Sequence, residues 1–269
     1  NTMIRKFPKS PLAIDANMEI ANTYMGNEKF REAIPYLKAV AENTDNSSLA
    51  PQAVLKLGTA YYNIDNNEEA LRQYKFIVDR YPSSAEAEDA LDNIKTIYVE
   101  DGKPDEYAAY MRQIGKPLSA DTEDELTWAA AEKLYDDQKL NEALNAYNSY
   151  IQRFPSGAHV LEANFNRAEI YNTRKDWNNA VVAFEAVAAQ APNPFAERAI
   201  LSAARINFFE LKNYAKAETF YAQLKQLTSN QELKLEAMRG LLRCQYNQQK
   251  WTEASANAKL QQIKLKARI

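Results

Sequence analysis

At 269 residues, with 46% hydrophobic and 26% charged residues, the chain has the length and apolar content for a packed interior, which excludes a disordered polypeptide. Six glycines and ten prolines are too few for the turns of a many-stranded sandwich or barrel, so an all-β architecture is excluded and helices are expected. A net charge of −3 offers no basic field for nucleic acid, and the lone Cys244 and lone His159 can build neither an internal disulfide nor a thiolate–imidazole metal cage.

The chain opens on Phe7-Pro8-Lys9-Ser10, a string echoed by Tyr81-Pro82-Ser83-Ser84, Phe154-Pro155-Ser156 and Ala191-Pro192-Asn193-Pro194. Proline stops one helix, and the Ser or Asn after it can cap the next. Pro8 stands 74 residues, two periods, before Pro82. Residues 1–10 therefore read as the tail of a preceding truncated repeat, and the chain as a fragment of a longer protein.

Beyond this point one small residue recurs, at Ala33, Ala70, Ala143, Ala180, Ala217 and Ala254, with Tyr107 in the third place; the spacings are 37, 37, 36, 37, 37 and 37 residues. Four residues after these anchors stand Leu37, Tyr74, Met111, Tyr147, Phe184, Tyr221 and Ala258, and seven after stand Val40, Ile77, Ile114, Tyr150, Val187, Leu224 and Gln261. Offsets of 0, +4 and +7 share one stripe of a 3.6-residue helix, here helix B of each repeat. Nine residues before the anchors, Tyr24, Tyr61, Tyr98, Leu134, Tyr171, Phe208 and Gln245 end an earlier apolar-periodic segment, helix A. Small residues at Ala21, Gly58, Ala131 and Ala168 let helix A approach the anchor of helix B. Ser83 with Glu86, Thr122 with Glu125 and Ser229 with Glu232 have capping-box spacing and mark helix starts.

The third hairpin breaks the pattern, with Lys95 at the small position and Tyr107 at the anchor. Overpacking of this kind costs about 1–3 kcal/mol unless the backbone adjusts, so a splayed hairpin is expected, with the Lys95 stem running over Tyr107. Gly115-Lys116-Pro117 and the 36-residue step follow. They mark a candidate joint near residues 102–118, between repeats 1–3 (residues 11–118) and repeats 4–7 (residues 119–269) of one continuous solenoid; the alternative reading is drift in a structural repeat.

The second repeat, Val54-x2-Leu57-Gly58-x2-Tyr61, then Ala70-x3-Tyr74, then Pro82, resembles the tetratricopeptide (TPR) repeat in all but its initial Trp. The resemblance covers essentially the whole chain and implies an all-α superhelical solenoid of about seven antiparallel helix pairs, whose concave wall is made mainly by helices A. Long units punctuated by aromatic-Pro-x-Ser are similar to those of bacterial cell-envelope TPR proteins, the Tol-Pal-associated periplasmic and outer-membrane assembly types. That likeness implies a scaffold without chemistry on the periplasmic side of an envelope.

Motifs for chemistry are missing from the sequence. The glycines form no GxGxxG and no phosphate-binding loop, and no Ser or Cys nucleophile can be assigned to His159 by spacing. Cys244, beside Leu241 and Leu242, reads as a packing residue. Asp121, Glu123, Asp124 and Glu125 read as charges favoured at a helix N-terminus. The last stretch, residues 232–268, holds eight basic and three acidic residues and reads as a solvated, slightly basic end. No enzyme activity, cofactor, metal or nucleic-acid partner is expected. No apolar stretch approaches the roughly 18–20 residues that span a bilayer.

The expected function is protein binding along the groove positions of helices A: Met18, Asn22 and Met25; Leu55, Thr59 and Tyr62; Trp128, Glu132 and Tyr135; Phe165, Glu169 and Asn172; Arg239, Arg243 and Tyr246. Each trio follows i, i+4, i+7 spacing and forms a stripe beside the buried one. Trp, Tyr and Arg are frequent interface anchors, so a segment of another protein or peptide is the expected partner. If helix A of the fourth repeat is read one residue later, Trp128 falls in the core instead. The family's clamp for a C-terminal carboxylate is disfavoured, because Met18 stands where its Lys would be. Two alternatives are an α/α-toroid enzyme with convergent carboxylates and a glycan-binding solenoid with Trp128, Tyr135 and Phe165 as sugar platforms. The sequence leaves the oligomeric state and the identity of the partner open.

Overall fold

A computed structural model describes residues 10–42 and 49–266, with side chains described to residue 259. The expected remnant helix over residues 1–10 thus lies outside the described residues, apart from Ser10, and so does the side chain at the seam position Gln261. The described residues form fourteen α-helices, a π-helical turn and no strand. They belong to two compact units, residues 1–119 and 120–269. In the first unit the described residues form three helical hairpins: α1 (Pro11–Gly26) with α2 (Phe30–Ala41), α3 (Ala50–Tyr62) with α4 (Asn67–Arg80), and α5 (Ala85–Glu100) with α6 (Pro104–Gln113). The second holds four: α7 (Ala120–Asp136) with α8 (Leu140–Arg153), α9 (Val160–Thr173) with α10 (Trp177–Ala188), α11 (Ala196–Arg205) with α12 (Tyr214–Leu227), and α13 (Gln231–Asn247) with α14 (Trp251–Lys266).

The expected seam is the core of each hairpin. Ala33, Ala70, Ala143, Ala180 and Ala217 are fully buried, and so are Leu37, Tyr147 and Phe184 one turn on. Gly58 shows why a small residue must face that seam: a Cβ there would lie 2.5 Å from the ring of Tyr74. Within the second unit, successive core clusters share Tyr171 and then Phe220, so each hairpin packs on the next in chain order.

A repeated C-cap closes each A helix. The residue five before every anchor has positive φ: Glu28, Asp65, Gly102, Gln138, Lys175, Lys212 and Gln249, with φ between 54° and 69°. In six hairpins the next N–H donates to the carbonyl nine residues before the anchor, as in Lys29 to Tyr24 and Lys139 to Leu134, both at 2.9 Å. This is the Schellman arrangement, which usually puts Gly at the left-handed position. Here only the third hairpin does so.

The sixth hairpin departs from the sequence frame. Asn213 N–H reaches the carbonyl of Asn207, one residue further back, because residues Ile206–Glu210 form a π-helical turn with Leu211 N–H bonded to the Ile206 carbonyl at 3.0 Å. The extra residue shifts all of α11 by one position. Ala204 and Asn207, both fully buried, take the places expected of residues 205 and 208, and Phe208 is left half-buried.

The third hairpin is the most loosely packed of the seven, and its α6 is only 10 residues long. Tyr107 is buried against the Tyr98 ring at 6.4 Å, while Lys95 is exposed. Lys75 of α4 braces this hairpin, donating to the Tyr98 hydroxyl at 2.8 Å and lying 4.9 Å from the centre of the Tyr110 ring.

The caps differ in detail from the spacing rule. Ser84 rather than Ser83 caps α5, and Asn230 rather than Ser229 caps α13. Thr122 lies inside α7, which begins at Ala120.

Candidate partner-binding site

The groove trios occupy the faces of α1, α3, α7, α9 and α13, and the structure separates them sharply. Met18, Trp128 and Phe165 are 5%, 8% and 3% exposed, so they are corrected from groove to core residues. The reason is the next hairpin. His159, which precedes α9, stacks on Trp128 with ring centres 4.6 Å apart and planes 2° apart; Phe195, which precedes α11, stacks on Phe165 at 4.9 Å. Tyr147 and Tyr150 flank the Trp128 ring at 5.8 and 5.7 Å, and Phe184 meets Phe165 edge-on.

Most of the remaining groove residues are engaged inside the fold. In the first unit, Asn22, Met25, Leu55, Thr59 and Tyr62 are half-buried. The Tyr62 hydroxyl donates to Glu100 at 2.7 Å, and that bond, with burial, pushes its pKa up to about 12. Thr59 accepts from Tyr74 at 3.3 Å while donating to the Leu55 carbonyl at 3.1 Å. In the second unit, Glu132 accepts from the Tyr147 hydroxyl and from Asn166 at 3.0 Å, and Tyr135 packs on the Tyr147 ring at 6.2 Å. Glu169 lies 3.9 Å from Arg198, and Asn172 is half-buried.

The acidic string in the first turns of α7 is likewise structural. Asp124 accepts from Tyr150 at 2.5 Å, Glu123 pairs with Arg153, and Glu125 lies 3.3 Å from His159. Cys244 is fully buried, and burial pushes its thiol pKa up to about 12, away from a reactive thiolate.

The trio on α13 is different. Arg239 and Arg243 are exposed one helical turn apart, with no ion pair among the described residues, and Tyr246 is 63% exposed with its ring edge-on to Trp251 at 5.1 Å. The two arginines line a cavity of about 620 Å³. Sequence reasoning missed the rest of its wall: Arg205, Phe209, Tyr221, Leu235 and Gly240, with Glu232 and Glu236. Arg205 Nε donates to Glu236 at 2.8 Å. Gly240 is the floor, because a Cβ there would lie 2.5 Å from the Tyr221 ring. Burial pushes the Tyr221 pKa up to about 12, so its hydroxyl stays neutral. The π-helical turn hid Arg205 and Phe209 by moving them out of the repeat frame, whereas Gly240 was visible as a glycine inside a helix.

Among the described residues, no helix is long and apolar enough to cross a membrane. No curated protein matches the chain in sequence. Among solved structures the chain is similar to PilF of Pseudomonas aeruginosa, at 13% identity and TM-score 0.36, over 83% of this chain and 96% of that one. It is also similar to YrrB, described as a TPR protein with an unusual peptide-binding site, at 15% identity and TM-score 0.35, over 88% and 96% of the two chains. A TPR protein of Parabacteroides merdae aligns at 13% identity and TM-score 0.36, over 91% of each chain. The tetratricopeptide-repeat family profile matches residues 18–85 and 129–195, together half of the sequence. With that match, and with one seam repeated through seven hairpins of the described residues, six of them anchored by alanine, the chain belongs to the tetratricopeptide-repeat family.

Proposed function

We propose that this chain is a scaffold without catalytic chemistry, which holds a segment of another protein against the A-helix faces of its repeats and grips it most firmly at α13. One observation carries the reading: Arg239, Arg243 and Tyr246 share a stripe and stand exposed, the two arginines lining a cavity of about 620 Å³, while most of the corresponding side chains elsewhere are engaged inside the fold. Exposed Arg and Tyr are among the side chains that anchor protein interfaces. Burial of Trp128 and Phe165 removes two of the three platforms of the glycan-binding alternative. The toroid alternative has no support in a chain of this family. The setting we propose is the periplasmic side of a bacterial envelope, supported by the long repeat unit and its aromatic-Pro-x-Ser punctuation.

A photo-crosslinking amino acid in place of Tyr246, introduced in the native cell, tests the binding face. The control position is Val182, which is 60% exposed on α10. A protein captured from position 246 and not from 182 supports the reading; equal capture, or none, rejects it. Release of the native protein by osmotic shock tests the compartment, and retention with the cytoplasm rejects the envelope setting.

A further inference from the structure

We propose that the cavity between the α11 end, its π-helical turn and α13 receives the side-chain carboxylate of an Asp or Glu next to a large apolar residue, within an extended segment of the partner protein. This deepens the protein-binding reading and rests on it. The charge pattern selects the carboxylate. Arg205 is held by Glu236 at 2.8 Å and forms a fixed wall, whereas Arg239 and Arg243 have no ion pair among the described residues. Guanidinium forks bind carboxylates in bidentate fashion, with geometric as well as charge selectivity.

The same wall limits the charge of the occupant. Three guanidiniums face two carboxylates, Glu232 and Glu236, which leaves the lining with a single net positive charge. One carboxylate balances that charge. A nucleic-acid backbone or a phosphate dianion would bring further negative charge against the two glutamates.

The apolar companion follows from the floor. The Tyr221 ring lies directly under Gly240, where any side chain would collide with it, so the glycine keeps the cavity open down to the ring. Leu235 lines the side, and Phe209, 46% exposed, borders it where the π-helical turn takes the chain out of the regular helical frame. A volume of about 620 Å³ exceeds what one carboxylate head needs and lies within the roughly 300–1,000 Å³ of ordinary ligand sites.

Isothermal titration of the full chain with capped hexapeptides provides the test. The probe is acetyl-Gly-Ser-Glu-Phe-Ser-Gly-amide, compared with versions carrying Gln for Glu or Ala for Phe, with an uncapped Gln peptide bearing a free C-terminal carboxylate, and with a decathymidylate. The Glu-Phe peptide is expected to bind; Gln for Glu should weaken it about tenfold or more, the range for loss of a charge-assisted hydrogen bond, and Ala for Phe about tenfold or more through the apolar surface no longer buried. Arg239→Gln and Arg243→Gln should each weaken it comparably, while Arg174→Gln, at the exposed residue that caps the end of α9, leaves it unchanged. Circular dichroism checks folding, and Arg243→Lys, which keeps the charge and loses the fork, stands in for any variant that unfolds.

Equal binding of the Gln peptide, tighter binding of the free terminal carboxylate or of decathymidylate, or no binding of the Glu-Phe peptide at millimolar concentration overturns the proposal. Capture of a protein from position 246 alongside any of those results leaves the scaffold reading standing and removes only the carboxylate. Failure of both experiments removes both.

Discussion

Glu132 is the residue at which burial and charge conflict most directly. Its carboxylate sits against the seam, accepting from the Tyr147 hydroxyl and from Asn166, whose amide also donates to the Tyr147 oxygen at 3.2 Å. Burial pushes its pKa above the ordinary carboxylate value; the two hydrogen bonds pull the other way, and the charges of Glu162 and Asp136 add to the rise. Burial, followed by the bond to Glu132, also raises the Tyr147 pKa, so that phenol remains the donor. A carboxyl whose pKa is raised in the folded state contributes stability below its unfolded pKa, about 4.3, and loses that contribution as the pH rises through the folded value. Glu132→Gln keeps an acceptor for Tyr147 and removes the charge. Thermal melts of the two proteins from pH 4 to pH 8 should therefore diverge in favour of the variant as the pH rises, and a difference independent of pH would refute this account. Trp128 belongs to the same cluster, and its burial was only half legible. The sequence offered both a groove and a core reading, and the choice depended on His159, 31 residues away, lying flat on the indole.

At the scale of the helix, the B-helix starts form a natural substitution series. The residue four before the anchor is the N-cap, and Asn66, Asp176 and Asn213 each accept from the N–H three residues on, whereas Lys29, Lys103 and Lys139 make no such bond. The backbone is nearly the same at Lys139 (φ −81°, ψ 60°) and Asp176 (φ −83°, ψ 73°), so a cap would fit there without rearrangement. Lys139→Asn should stabilise the protein by about 1 kcal/mol, the usual worth of a side-chain cap. Its exposed ion pair with Asp137, at 3.6 Å, offsets little of that gain. Urea denaturation checks it, and an unchanged or lower midpoint counts against it. The hairpin positions were legible because period and stripe are local properties of the chain. The π-helical turn was not, since the spacing of the anchors stays at 37 residues across it, and the shift shows in the backbone bond from Asn213 to Asn207 and in the burial of Ala204 and Asn207.

Across the whole molecule, the architecture was readable because a repeat array packs each unit on its neighbours, and seven imperfect copies report the same seam. The candidate site was less readable, since a helix-A side chain is available only where the following hairpin leaves it uncovered, and this is decided between repeats. The same nearest-neighbour logic sets how stability is distributed in the second unit. The hairpin α9–α10 packs on both sides, through Tyr171 toward α8 and through Phe195 and Phe220 toward the next hairpin, while in α13–α14 Trp251 is 56% exposed. Local opening should thus be costliest in α9 and α10 and cheapest in α14. Native-state hydrogen exchange by mass spectrometry should find the slowest amides of this unit in α9–α10 and a decline through α13 to α14. Phe184→Ala removes a fully buried ring, at a cost of about 3–5 kcal/mol, and should speed exchange most in α9–α12 and least in α14. Uniform protection across the four hairpins, accelerated equally everywhere by the variant, would mean that the unit opens as a single cooperative block, so that the repeat pattern describes its geometry but not its energetics.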